Sequence, residues 1–222
     1  MSDVRAALAA GADVNWAGGL PLRSAAWNGA AATARLLLEH GADVNAGTAE
    51  LRGRFTALHA AAQSGYPEVL RVLLAAGANV HIASNGRTAL CCAAQDGANL
   101  EHCAKLLLAH GAHVDGSGEI PKTPLWWVID RDYLHDNRDL VKIFLRAGAR
   151  AIDNADLPRR SSGNEAAIDL HNAVRAAGGW PEYVAAHRGV LAGLVAKLSA
   201  KGAVPLDAAG HVVAFYCPPG GF

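Results

Sequence analysis

The block Gly-Ala-x-Val-x recurs at Gly11–Asn15, Gly41–Asn45, Gly77–His81 and Gly111–Asp115, with a worn copy at Gly148–Ile152. Intervals between its glycines are 30, 36, 34 and 37 residues. Recurrence at that period marks a solenoid, in which each unit buries its apolar face only against its neighbours. The best-preserved unit runs from Thr56 to His81 and contains two short helical patterns. Thr56 is placed to cap the first, whose small face is Ala60, Ala61 and Ala62, and Gly65 is placed to end it in a left-handed residue. Pro67 suits the first turn of the second helix, with Glu68 near its positive end. Val69, Leu70, Val72, Leu73 and Leu74 then repeat at helical spacing until Gly77. Neither helix is long enough to stand alone in water, so neighbouring units must pack both.

Thr56-Ala-Leu58-His59, the paired alanines, Gly65, Leu73-Leu74 and the Gly77-Ala-Asn-Val block together resemble the ankyrin repeat. The resemblance implies an all-α solenoid of stacked antiparallel helix pairs, with β-hairpin or loop fingers projecting sideways, and a non-catalytic role in binding proteins. On this reading residues 1–155 are the array, with a partial repeat over 1–17 and repeats over about 18–47, 48–83, 84–117 and 118–155. A connector over 156–163 leads to an irregular helical C-terminal cap over 164–222, holding a degenerate fifth repeat and a last short helix. In the cap, Pro181 opens an apolar-periodic helix to Lys201, and the last helix starts near Pro205 or Leu206 and runs towards Tyr216. The fourth repeat needs its outward apolar face covered, so the cap is expected to belong to the stack.

The family places a histidine that hydrogen-bonds between adjacent repeats, and His59 occupies that position here. Arg23, Cys91 and Trp126 stand at the equivalent places, so the link is expected to be uneven along the stack. From the end of each block to that position the spacing is 8, 14, 10 and 11 residues, which makes the first finger clipped and the second enlarged. Asn85-Gly86 suits a tight hairpin turn at the tip of the third finger.

Twenty basic and twenty acidic residues leave no net charge to steer the chain towards nucleic acid or an anionic membrane. No apolar run reaches the ~18 residues needed to span a bilayer. Met1-Ser-Asp-Val-Arg lacks a basic-plus-apolar signal, so the expectation is an intracellular, cytoplasmic monomer. Cys91, Cys92, His102, Cys103, His110 and His113 are the residue types of a zinc site, but adjacent cysteines are not a knuckle, and they read as reduced, buried small hydrophobes. Nucleophile-elbow, P-loop and dinucleotide motifs are absent, so no catalytic residue, metal or cofactor is expected.

The candidate binding surface is drawn from positions where ankyrin scaffolds usually make contacts. It comprises Trp27 and Asn28, Gln63 and Ser64, Gln95 and Asp96 at the ends of the first helices, with Trp127 and finger residues Arg52, Arg54 and Arg87. Together they place an unidentified protein partner on the concave side and fingers. An alternative rests on Val204–Phe215, which resembles the opening of an F-box-like adaptor and would make the chain a substrate receptor in ubiquitin ligation. Asn45, eight residues after Leu37, is spaced like ankyrin asparagines that are hydroxylated, although its plain reading is a turn residue bonding local backbone.

Overall fold

Each helix pair begins where a hydroxyl, a proline or an asparagine can start a helix and ends where a glycine can turn left. In a computed structural model of the chain, the described residues are 2–48, 54–96, 99–118, 122–130, 138–150, 152, 156, 165–179, 181–183 and 185. The first helix, α1 (Ser2–Ala9), precedes the pairs α2 (Trp16–Trp27) with α3 (Ala31–Glu39), and α4 (Ala57–Ser64) with α5 (Pro67–Ala75). The pairs α6 (Ala89–Asp96) with α7 (Leu100–Ala109), and α8 (Pro124–Asp130) with α9 (Arg138–Arg146), follow. Hairpin strands β1 (Gly47–Thr48) with β2 (Phe55–Thr56), and β3 (Ala83–Ser84) with β4 (Arg87–Thr88), form two fingers, and α10 (Glu165–Ala176) comes last.

The recurring Gly-Ala dipeptide is a helix stop. Gly77 N–H donates to the Leu74 carbonyl and Ala78 N–H to the Leu73 carbonyl, both at 3.0 Å, with Gly77 at φ +83°. That pair of bonds satisfies carbonyls the helix leaves open, and it requires a left-handed residue at the glycine. The same two bonds close α3 at Gly41-Ala42, α7 at Gly111-Ala112 and α9 at Gly148-Ala149.

The last residue of each block then ties one repeat to the next. Asn15 Oδ1 accepts from Asp43 N–H, and Asn45 Oδ1 from Asn79 N–H, each at 2.8 Å. Asp115 accepts both the Arg150 backbone N–H and its guanidinium, each at 2.9 Å. Between the third and fourth blocks the rings of His81 and His113 meet instead, tilted at 47° with centroids 4.6 Å apart. Asn45 is therefore more than a local turn residue: its amide oxygen serves backbone 34 residues further on. Local sequence cannot reveal that acceptor, because the donor belongs to the neighbouring repeat.

Packing follows two rows. Helices α2, α4, α6 and α8 pack side by side in one, and α3, α5, α7 and α9 in the other, with each pair joined across the rows. Leu22, Leu58, Leu90 and Leu125 recur in the first row and are at most 1% exposed. Leu37, Leu73, Leu107 and Phe144 recur four residues before the stop glycine of the second row and are all buried. Small side chains let the first row close up: Ala25-Ala26, Ala61-Ala62 and Ala93-Ala94 are all buried there. Val128-Ile129 fills the same place in α8.

Finger length decides finger form. In the third, Asn85 and Gly86 have φ of +51° and +74°, giving the two-residue turn that the strands' twist prefers. The clipped first finger has no strand pair. Ala17, Gly18 and Gly19 instead make a left-handed turn at φ 49°, 65° and 79°, and right-handed helix begins at Leu20. A side chain costs roughly 1–2 kcal/mol in that conformation, so two glycines lower its cost. Gly19 also lies tight against Ala46, whose Cβ would stand 2.5 Å from any Cβ added there.

The described chain falls into two compact units, 1–167 and 168–222. In the second, His171 is fully buried and burial pulls its pKa down. The segment 131–137, nearly all of the connector, the Pro181–Lys201 helix beyond its first turn, the last short helix and the Val204–Phe215 adaptor resemblance lie outside the described residues. No helix among the described residues is long and apolar enough to cross a membrane.

Candidate functional site

The histidine position is where the repeats are stitched through side chains. Thr56 caps α4 in an extended conformation. Its N–H donates to His59 Nδ1 at 3.2 Å, which leaves the proton on Nε2 to be donated to the Arg87 carbonyl of the next finger, also at 3.2 Å. Burial is the main reason the His59 pKa falls from 6.5 to about 4, so the ring is neutral. Arg23 donates its guanidinium to the Phe55 carbonyl at 3.4 Å, and Trp126 its indole N–H to the Asp156 carbonyl at 2.6 Å. The link expected to be uneven is thus kept by three unlike donors spanning 32, 28 and 30 residues. Only an outward N–H is required, and all three side chains have one. Cys91 does not make it: Thr88 bonds its sulfur at 3.5 Å, and Ser117 instead donates to the Gly86 carbonyl.

The residues expected to bind a partner separate into two sets. Trp27, Gln63, Ser64, Gln95 and Asp96 stand at the C-terminal ends of α2, α4 and α6, helices that pack side by side. Trp27 is 50% exposed there, a large apolar side chain left facing water. Asn28 turns back, donating its amide to the Ser24 carbonyl at 2.8 Å. Gln63 and Ser64 are half-buried, and the Asp96 side chain lies outside the described part. The second set is at the finger end. Arg54 is exposed, and its backbone N–H donates to the Ala83 carbonyl at 3.3 Å, joining the two hairpins. Trp127 is half-buried in the first turn of α8, and Arg52 lies outside the described residues. A bond between the sets exists already, since the Arg87 guanidinium donates to Gln95 Oε1 at 2.5 Å. An eight-residue helix spans about 12 Å, which sets the distance between the two ends of the row.

Two further aromatics are exposed, Tyr66 beside the first set and Trp16 at the other end of α2 from Trp27. Tyr66, 39% exposed, lies against Gly29, where an added Cβ would meet its ring at 2.8 Å. Trp16, 61% exposed, opens α2 just ahead of its left-handed turn. For Tyr66 the available signal was an aromatic between Gly65 and Pro67, at a helix start that packing leaves open.

Residues 58–155 match three copies of the ankyrin repeat, and residues 17–49 match the ankyrin repeat once more. The matches cover more than half of the chain. The chain belongs to the ankyrin repeat family. Ankyrin repeats are generally protein–protein interaction modules, and the family is typically non-catalytic. No curated protein matches the chain. Within this ankyrin array Cys91, Cys92 and Cys103 are buried, and burial raises the pKa of the Cys103 thiol to about 11, far from a reactive thiolate.

Proposed function

We propose that this chain is a non-catalytic scaffold that binds a partner protein across the concave side and fingers of its ankyrin stack. The exposure of Trp27 carries the reading. It is a tryptophan at 50% exposure, held at the end of a helix whose Leu22, Ala25 and Ala26 are buried. Tryptophan and arginine are the side chains that most often anchor interfaces, and Arg54 stands exposed at the finger end of the same row. The ~12 Å between the two sets fits inside one partner footprint, since a standard interface covers about 800 Å² per partner. Hydrogen bonds between repeats hold the finger end in place, so this chain orders little on binding.

The test is affinity capture with quantitative mass spectrometry, comparing wild type with Trp27→Ala/Arg54→Ala at matched thermal midpoints. The double variant is expected to lose the partner that wild type enriches while keeping its melting transition. Equal enrichment by both proteins would place binding elsewhere.

A further inference from the structure

Trp126 and Trp127 stand edge to face, with ring planes at 85° and centroids 5.0 Å apart. Into the corner between them reaches Lys122, its Nζ 3.6 Å from the Trp126 ring centroid and 4.8 Å from that of Trp127. Both distances lie inside the roughly 6 Å over which an aromatic face attracts a cation. We propose that this corner is a recognition site for an alkylated ammonium group, with Lys122 as the tethered cation that fills it in the free protein.

The corner is built before any ligand arrives. Trp126 is fixed by its indole N–H on the Asp156 carbonyl, and its backbone N–H meets Thr123 Oγ1 at 3.3 Å. On either side of the two tryptophans in sequence, α8 buries Leu125, Val128 and Ile129 in the core. Trp127 Nε1 is buried without a hydrogen-bond partner among the described residues. With one indole N–H engaged and the other covered, the corner presents π-surface rather than donors. A π-surface recognises positive charge by its quadrupole and asks for no N–H in return. Primary ammonium is strongly hydrated and must shed water to press against two rings. Alkylated ammonium carries its charge on a poorly hydrated, apolar shell, so it loses less on entering. Lys122 is exposed, so swinging it back into water gives up its contacts with the two rings and uncovers the corner. It therefore marks where a cation sits and competes only weakly for the place.

This deepens the protein-binding reading by naming a chemistry for one partner group, and its test uses small probes so that the two stand or fall separately. The full chain, labelled with ¹⁵N, is titrated with the amide of N-acetyl-trimethyllysine while the indole N–H signals of Trp126 and Trp127 are followed. Its neutral isostere, with carbon in place of the quaternary nitrogen, is the control. Wild type is expected to shift both signals saturably with the cationic probe, and the isostere to bind at least fivefold more weakly, roughly one exposed cation–π contact. Lys122→Ala vacates the corner without touching either tryptophan, and it is expected to tighten binding of the cationic probe severalfold. Trp127→Leu should abolish it, but Lys122→Ala decides the matter because it leaves α8 intact. Unmoved indole signals, equal affinity for the isostere, or no gain in Lys122→Ala would each overturn the proposal. Partner capture dependent on Trp27 could survive any of these results, which separates this site from the wider binding surface.

Discussion

Protonating His59 pulls directly on the joint between two repeats. The ring is 1% exposed, its Nδ1 accepts from Thr56 and its Nε2–H donates to the Arg87 carbonyl. A second proton would remove the Nδ1 acceptor and place a charge in the core. Desolvation by burial is the largest cause of its fall from 6.5 to about 4, and it outweighs the backbone bonds to Arg87 and Ile82 that act the other way. The sign follows from linkage. Between these two values the unfolded chain carries the proton and the folded chain does not, so stability falls as pH drops through that window. Above the unfolded value the contribution is complete. At 1.36 kcal/mol per unit, the gap amounts to about 3 kcal/mol once pH is below both values. That is a large share of the ~5–15 kcal/mol typical of a folded domain. Urea unfolding of wild type and His59→Gln, at about pH 7.5 and about pH 4.5, isolates it, since glutamine keeps a donor but does not titrate. Wild type is expected to lose roughly 2–3 kcal/mol more than the variant across that range. His171 shifts in the same direction but is present in both proteins, so it cancels. Equal acid losses in the two proteins would refute the argument.

Leu73→Ala should cost about 2–5 kcal/mol in urea unfolding, because Leu73 is fully buried in α5, which packs against α3, α4 and α7; a loss below about 1 kcal/mol would contradict the packing described. Gly29→Ala should destabilise by more than an ordinary surface change, since the residue sits at φ +70° with the Tyr66 ring 2.8 Å from an added Cβ; an unchanged thermal midpoint would mean that the turn rearranges freely. Asn45→Ala should raise hydrogen exchange at Asn79 N–H, its partner at 2.8 Å, by roughly tenfold, while leaving Gly77 and Ala78 protected through their own helix-stop bonds.

The repeats were legible because their signals are local and periodic. Leu58 and Leu73 announce buried faces by spacing, Gly77-Ala78 a helix stop, and Asn85-Gly86 a hairpin turn. What the sequence hid lies between repeats. Arg23, His59 and Trp126 share no chemistry beyond an N–H, so their common role appears only when the acceptor carbonyls are located about thirty residues away. Asn45 was misread for the same reason. The left-handed turn at Ala17–Gly19 was half visible: two glycines advertise it, but a non-glycine at φ 49° does not. At the candidate surface, the positions where ankyrin scaffolds usually make contacts put forward Trp27 as a candidate anchor and grouped Arg87 with Gln95. It gave no sign that these last two bond one another, nor that Tyr66 stays exposed across the turn from Gly29.

The proposed binding by the first row and fingers is tested most directly by hydrogen exchange on the complex with whatever partner Trp27 is required to capture. Backbone amides at residues 27–29 and 63–66, and at finger residues 54–56 and 83–88, are expected to slow on binding, while the exposed faces of α3, α5 and α7 keep their free rates. Protection confined to those second-row helices, with the first-row ends and fingers unchanged, would contradict the account.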